Sequence, residues 1–172
     1  MNLRSIEVFL LVFAAFMGCA VQESVVTRAP LFPEGVLNAR WGTSVERVKK
    51  AIVADGHQSF QDDTDKPSHV LYAAGTYLNA PAILSYFFTA TSGRLFRIDV
   101  TFDDPRLYEL AKGPLVQRFR KPTFSQTDTD SWIWDDSSLV ILQRDSHHVQ
   151  VSYWSGPFLR INYRESAVLP PK

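Results

Sequence analysis

The sequence predicts an α+β fold of two tandem units, each one helix plus a three-stranded antiparallel meander, with the helices packed on one face of the sheet. Three observations carry this. Two stretches with helical apolar spacing open near residues 43 and 104, each is followed by runs of alternating apolar and polar residues, and short turn-forming clusters separate the runs. The pattern spans 42–102 and returns at 104–163, a repeat of about 60 residues, as a duplicated supersecondary unit would show. With 45% hydrophobic content over 172 residues, the chain has enough apolar surface for one sizeable core.

The first helix opens at Trp41-Gly42-Thr43-Ser44, where Thr43 or Ser44 is placed to cap it, and Val45, Val48 and Ile52 share a face. Gly56 is suited to the left-handed conformation that ends a helix. A polar loop is expected over 58–68. Strands are expected over 70–78, 82–90 and 94–102, with turns at Asn79-Ala80-Pro81 and Thr91-Ser92-Gly93. In the third strand Phe96, Ile98, Val100 and Phe102 fall on one face and Arg97, Asp99 and Thr101 on the other, so one face is buried and the other wet. The middle strand, with Ile83 and Phe87 on one face and Leu84, Tyr86 and Phe88 on the other, is expected to be covered on both sides. Val45, Val48, Ile52, Phe96, Ile98 and Val100 are expected to share the first core.

The second helix starts at Asp103-Asp104-Pro105, an N-cap followed by proline in the first turn. Leu107, Leu110, Ala111, Leu115 and Phe119 mark its apolar face. Gly113-Pro114 predicts a kink or short break, since proline removes an amide donor and crowds the preceding turn. Strands are then expected over 131–135, 138–144, 148–154 and 158–163.

The ends of the chain read differently. Arg4 precedes an unbroken apolar run, Val8–Met17, that is too short to span a bilayer as a helix and stops at Gly18-Cys19. Residues 1–18 are thus expected to be a leader. Phe16-Met17-Gly18-Cys19 resembles the lipobox of bacterial lipoproteins, which implies that Cys19 receives a diacylglycerol and acyl chains such as palmitate. Ordinary signal-peptide cleavage and an uncleaved anchor are the two other readings. The chain has no second cysteine, so no disulfide can form. Residues 19–36, with Pro30 and Pro33, read as a tether, 37–166 as the repeat domain and 167–172 as a loose tail.

Several of these residues carry a wider likeness. Trp41-Gly42-x-Ser44-x-x-x-Val48, Leu84-x-Tyr86-x-Phe88 leading to Gly93-Arg94-Leu95-Phe96-x-Ile98, Phe119-x-Lys121-Pro122-Thr123, Trp132 and Val151-x-Tyr153 resemble small envelope lipoproteins of tandem αβ repeats. The resemblance is to the SmpA/OmlA (BamE-like) outer-membrane-assembly lipoproteins and to the fold of the β-lactamase inhibitor protein. Arg120 departs from it, standing where a glycine commonly precedes the Lys-Pro pair. The resemblance implies a membrane-tethered, non-enzymatic protein that binds another envelope protein, or alternatively an inhibitor of a periplasmic or secreted enzyme. Because Ala20 follows Cys19, with no aspartate beside it, it further implies lipid anchoring at the periplasmic face of the outer membrane.

Composition agrees with a binding role and gives little sign of chemistry. Eighteen basic and eighteen acidic residues balance, leaving no charge excess for a nucleic-acid backbone. No Gly-x-Ser-x-Gly, Walker or His-Glu-x-x-His motif is present, and no cofactor is expected. His147-His148 would point to opposite faces of a strand. Asp62-Asp63-Thr64-Asp65 lacks the glycine and the acid that a calcium loop needs at Ser68 and Ala74. Asp135-Asp136 reads as a turn. Trp132, Trp134 and Trp154 are the candidate partner surface, since aromatic residues on a rigid sheet make good anchors. The alternative is that Trp132 and Trp134 are core and Trp154 is covered by a loop.

Overall fold

The computed structural model describes residues 30–168. The leader 1–18, Cys19, most of the 19–36 segment and the last four residues of the 167–172 tail lie outside the described residues. The fold is α+β, with three helices and a mostly antiparallel sheet. A hairpin of β1 (Gly35–Val36) and β2 (Ala39–Arg40) leads into α1 (Val45–Ala54), followed by β3 (Gln58–Asp63), β4 (Val70–Tyr77), β5 (Ala80–Phe88) and β6 (Leu95–Phe102). A 3-10 turn at Pro105–Leu107 opens α2 (Tyr108–Phe119). Four strands follow it, β7 (Phe124–Gln126), β8 (Thr129–Ile133), β9 (Leu139–Arg144) and β10 (Val149–Trp154), and then α3 (Gly156–Val168).

The strands β3 to β10 form one eight-stranded sheet in the order β3-β4-β5-β6-β10-β9-β8-β7. The pairing of β6 with β10, in which Asp99 lies opposite Ser152, joins its two halves. Alternation decides what each face carries. Leu84, Tyr86, Ile98, Val100, Val140, Leu142, Val151 and Tyr153 point to one face, where they form a continuous core with Val48 and Ile52 of α1 and Ala111, Leu115 and Phe119 of α2. Tyr77 and Tyr153 bind across this core, hydroxyl to hydroxyl, at 2.6 Å. Beneath α2, Asp130 is fully buried and accepts hydrogen bonds from Lys112 Nζ at 2.7 Å, Tyr108 Oη at 2.9 Å and Ser125 Oγ. Burial opposes its ionisation, but these hydrogen bonds outweigh that and hold its carboxyl below the usual carboxylate range.

The structure corrects several sequence expectations. Residues 58–63 are the edge strand β3 rather than loop, because their polar side chains suit a strand paired on one side only. Asp62 ties β3 to α1 through Lys49 at 2.8 Å. The short edge strand β7 was not foreseen for the same reason. The β4–β5 turn is Leu78-Asn79, both at positive φ, and Pro81 lies inside the strand on an exposed position. Ser44 precedes α1 without a side-chain capping bond, while the Thr43 hydroxyl donates back to the Arg40 carbonyl. Helix α2 runs unbroken through Pro114, which sits on an exposed face where water can satisfy the carbonyl that proline leaves unbonded.

Residues 158–163 belong to a helix, not a strand. Ser155 accepts from the Leu159 amide, and Pro157 fits a first helical turn, where its missing N–H costs nothing. At Gly156 a β-carbon would fall 2.1 Å from the Asp136 carbonyl oxygen, so only glycine allows the chain to pass from β10 into α3 there.

Two further corrections matter for the site. A register shift beside Phe87/Phe88 places Leu95, not Phe96, on the core face, and Phe96 instead packs edge-on against Trp154. Residues 30–36 are docked rather than a free tether: Phe32 lies 5.7 Å from Trp41 and 5.1 Å from Trp134 between ring centroids. The indole N–H groups of Trp41 and Trp134 donate to the carbonyls of Pro33 and Pro30 at 2.7 and 2.6 Å.

Candidate functional site

The side of the sheet opposite α1 and α2 carries a second set of side chains, and the middle strand is not covered there. Ile83 is 46% exposed and Ile133 is 56% exposed, flanked by the polar row Thr101, Gln150, Gln143 and Thr129. At its centre lies a cluster built on the β6–β10 seam. Phe87, Arg97 and Trp154 are successive cross-strand neighbours on β5, β6 and β10. The Arg97 guanidinium carbon sits 4.5 Å from the Phe87 ring centroid and 4.1 Å from that of Trp154. The guanidinium also pairs with Asp99, two residues along the same face, donating from Nε at 2.7 Å and from a terminal nitrogen.

Stacking on both flanks and a two-point bond to a carboxylate fix an otherwise flexible arginine. Asp99 is only 3% exposed, so the face expected to be wet has a buried ion pair at its middle. The Trp154 indole nitrogen is buried without a hydrogen-bond partner among the described residues. What the face presents is a preformed surface of aromatic, aliphatic and neutral polar groups.

The three tryptophans do not form one surface. Trp132 is 2% exposed, its N–H donating to the Arg120 carbonyl at 2.9 Å, so it is removed from the candidate partner surface and belongs to the core. Trp134 is half-buried, edge-on to Phe119 at 5.3 Å. Trp154 is half-buried on the other face of the sheet. Its Arg97 and Phe87 partners were missed because arginine and aspartate alternating on a strand also describe an ordinary solvated face.

Trp132 and Trp134 instead help line a pocket of about 420 Å³ below the C-terminal end of α2, with Arg120, Lys121, Ile133 and Asp135 around it. Arg120 has φ 67° and ψ −156°. That region is essentially reserved for glycine, and holding another residue in it costs about 1–3 kcal/mol.

The remaining motifs assemble no centre. His147 and His148 lie in the exposed β9–β10 turn, where His148 approaches Asp103 at 3.3 Å and Asp145 at 3.6 Å. Asp136 accepts from the Ser138 amide in the β8–β9 turn. Among the described residues no group of three or more His, Cys, Asp or Glu side chains is placed to hold a metal, and no helix is long and apolar enough to cross a membrane. Cys19, the expected lipid attachment site, lies outside the described residues.

Comparison with known proteins adds no relative: the chain matches no family model, no curated protein and no solved structure. The likeness to SmpA/OmlA lipoproteins therefore rests on the residues quoted for it.

Proposed function

We propose that this chain is a membrane-tethered, non-enzymatic envelope lipoprotein that binds another envelope protein through the uncovered face of its sheet. The observation that carries this reading is the fixed Phe87–Arg97–Trp154 stack at the centre of a face whose rim exposes Ile83 and Ile133. A rigid aromatic and arginine cluster flanked by apolar groups loses little side-chain entropy on binding, which is where interface energy concentrates. Acylation of Cys19 anchors the chain to the periplasmic face of the outer membrane. Ten residues lie between Cys19 and Pro30, a reach of at most about 40 Å when extended. Confinement near the partner lets modest affinity suffice.

Helix α1 with β3–β6 and α2 with β7–β10 form two copies of one unit in this reading. The repeated order of one helix and four antiparallel strands supports it, as does the meeting of the two halves along the β6–β10 seam. The unit is then a helix and four strands, rather than three.

Capture from envelope extract tests the reading, with the acylated protein and its Trp154→Ala variant as baits and urea unfolding as the control. A protein retained by the wild type and lost by a variant that remains folded supports it. Normal capture by the folded variant removes Trp154 from the interface, and purification without an N-terminal lipid removes the tether.

A further inference from the structure

We propose that the pocket below the C-terminal end of α2 is a second binding site, which holds an acidic segment of a protein partner with Arg120 as its anion-binding residue. The first ground is the backbone. Arg120 occupies φ 67° and ψ −156° because the chain must turn there: its amide donates to the Val116 carbonyl at 2.7 Å, and its carbonyl accepts from the Trp132 indole at 2.9 Å. Glycine makes that turn without strain, so folding does not account for arginine at this position, and an observed strain of this kind points to function.

The second ground is the side chain. Arg120 and Lys121 are exposed, and neither makes a side-chain hydrogen bond or ion pair among the described residues. Most other cations near the core are engaged: Arg97 by Asp99, Lys112 by Asp130 and Arg144 by Asp128.

The third ground is what surrounds them. The two cations border a cavity of about 420 Å³, walled by Trp134, Ile133 and Phe119, with Asp135 also on its lining. A guanidinium holds a carboxylate through two parallel N–H bonds, while the aromatic and aliphatic wall takes an apolar side chain. The complementary ligand is an aspartate or glutamate next to a large apolar residue. Asp135 disfavours a densely anionic surface such as a bilayer rich in acidic headgroups, so a protein segment fits better than a membrane. The proposal rests on the reading of the chain as a protein binder; it shares Ile133 with the sheet face, but neither Ile83 nor the Phe87–Arg97–Trp154 stack.

The test is an NMR titration of the acylated chain in neutral detergent with the blocked peptide Gly-Leu-Asp-Phe-Gly and its Asn counterpart, read at the Trp132 and Trp134 indole resonances. The Asp peptide is expected to shift these signals and to bind at least tenfold more tightly than the Asn peptide. Arg120→Gly is expected to weaken binding at least tenfold while raising the thermal midpoint, because it relieves the strained turn. Equal binding of the two peptides, unchanged binding by Arg120→Gly, or a lowered thermal midpoint for that variant each overturns the proposal. So does binding to phosphatidylglycerol vesicles with no response to the peptide. Ile83→Asp, on the sheet face, is expected to leave peptide binding intact, so this site and the sheet-face reading fail separately.

Discussion

Arg97 and Trp154 stand directly opposite each other across the β6–β10 seam, with the guanidinium carbon 4.1 Å from the indole centroid. The contact links the two halves of the sheet on the face opposite α1 and α2, and Asp99 neutralises the arginine from the same strand. Replacing Arg97 by Ala removes the stacked cation and leaves a buried carboxylate without its partner. The expected loss is about 3 kcal/mol, read from urea unfolding. Removing Asp99 as well is expected to recover part of that loss, so a double-mutant cycle should give a coupling of about 1–3 kcal/mol. Purely additive losses would show that the pair is not coupled.

Asp130 makes acid sensitivity specific to one residue. Its folded carboxyl is held below the usual range, so its contribution is fully present above the unfolded value near 4 and is lost as pH falls through the lower folded value. Stability should therefore drop in that acidic window. Asp130→Asn is expected to cost roughly 3–5 kcal/mol at neutral pH by breaking a buried pair, and to flatten the acid dependence. Denaturant midpoints measured across pH 2–7 for both proteins check the slope. An unchanged acid slope in the variant would assign the sensitivity to other carboxylates.

Phe32 fastens the segment that follows Cys19 in the sequence. Because the ring is half-buried between Trp41 and Trp134, Phe32→Ala should cost less than the about 3–5 kcal/mol of a fully buried phenylalanine. Its distinct effect is local. Limited proteolysis should cut faster between residues 30 and 36 while the rest of the domain stays resistant. Protection equal to the wild type would mean that the two indole N–H bonds to Pro30 and Pro33 hold the segment without the ring.

Much of this architecture is legible in the sequence where one physical signal acts alone. Val48 and Ile52 on α1 and Ile98 and Val100 on β6 are core residues as their spacing predicts, and Ile98 is fully buried. Ile98→Ala should accordingly cost about 2–5 kcal/mol in a thermal or urea melt, and a change of a few tenths would mean that the register is wrong.

Elsewhere two signals compete. The polar edge strands β3 and β7 look like loop because their positions need not be apolar. Phe158-Leu159-Arg160-Ile161-Asn162-Tyr163 suits a strand in isolation, but Gly156 lets the chain turn out of β10 and Pro157 fits the first turn of a helix. Phe96 shows alternation failing at a bulge that no local pattern encodes. The tryptophan cluster was visible as a cluster, but Trp132 and Trp154 lie on opposite sides of the sheet, and long-range pairing decides that.

The central claim, that the uncovered sheet face meets a protein partner in the envelope, is tested most directly by photo-crosslinking in intact cells. A photoreactive residue is placed at Ile83 or at exposed Gln143 on that face, and at exposed Val53 on α1 as the control. The account predicts discrete adducts of one mass class from Ile83 and Gln143, lost on Cys19→Ala and absent from Val53. Equal labelling from all three positions, or no adduct from the sheet face while the protein stays folded and acylated, would contradict it.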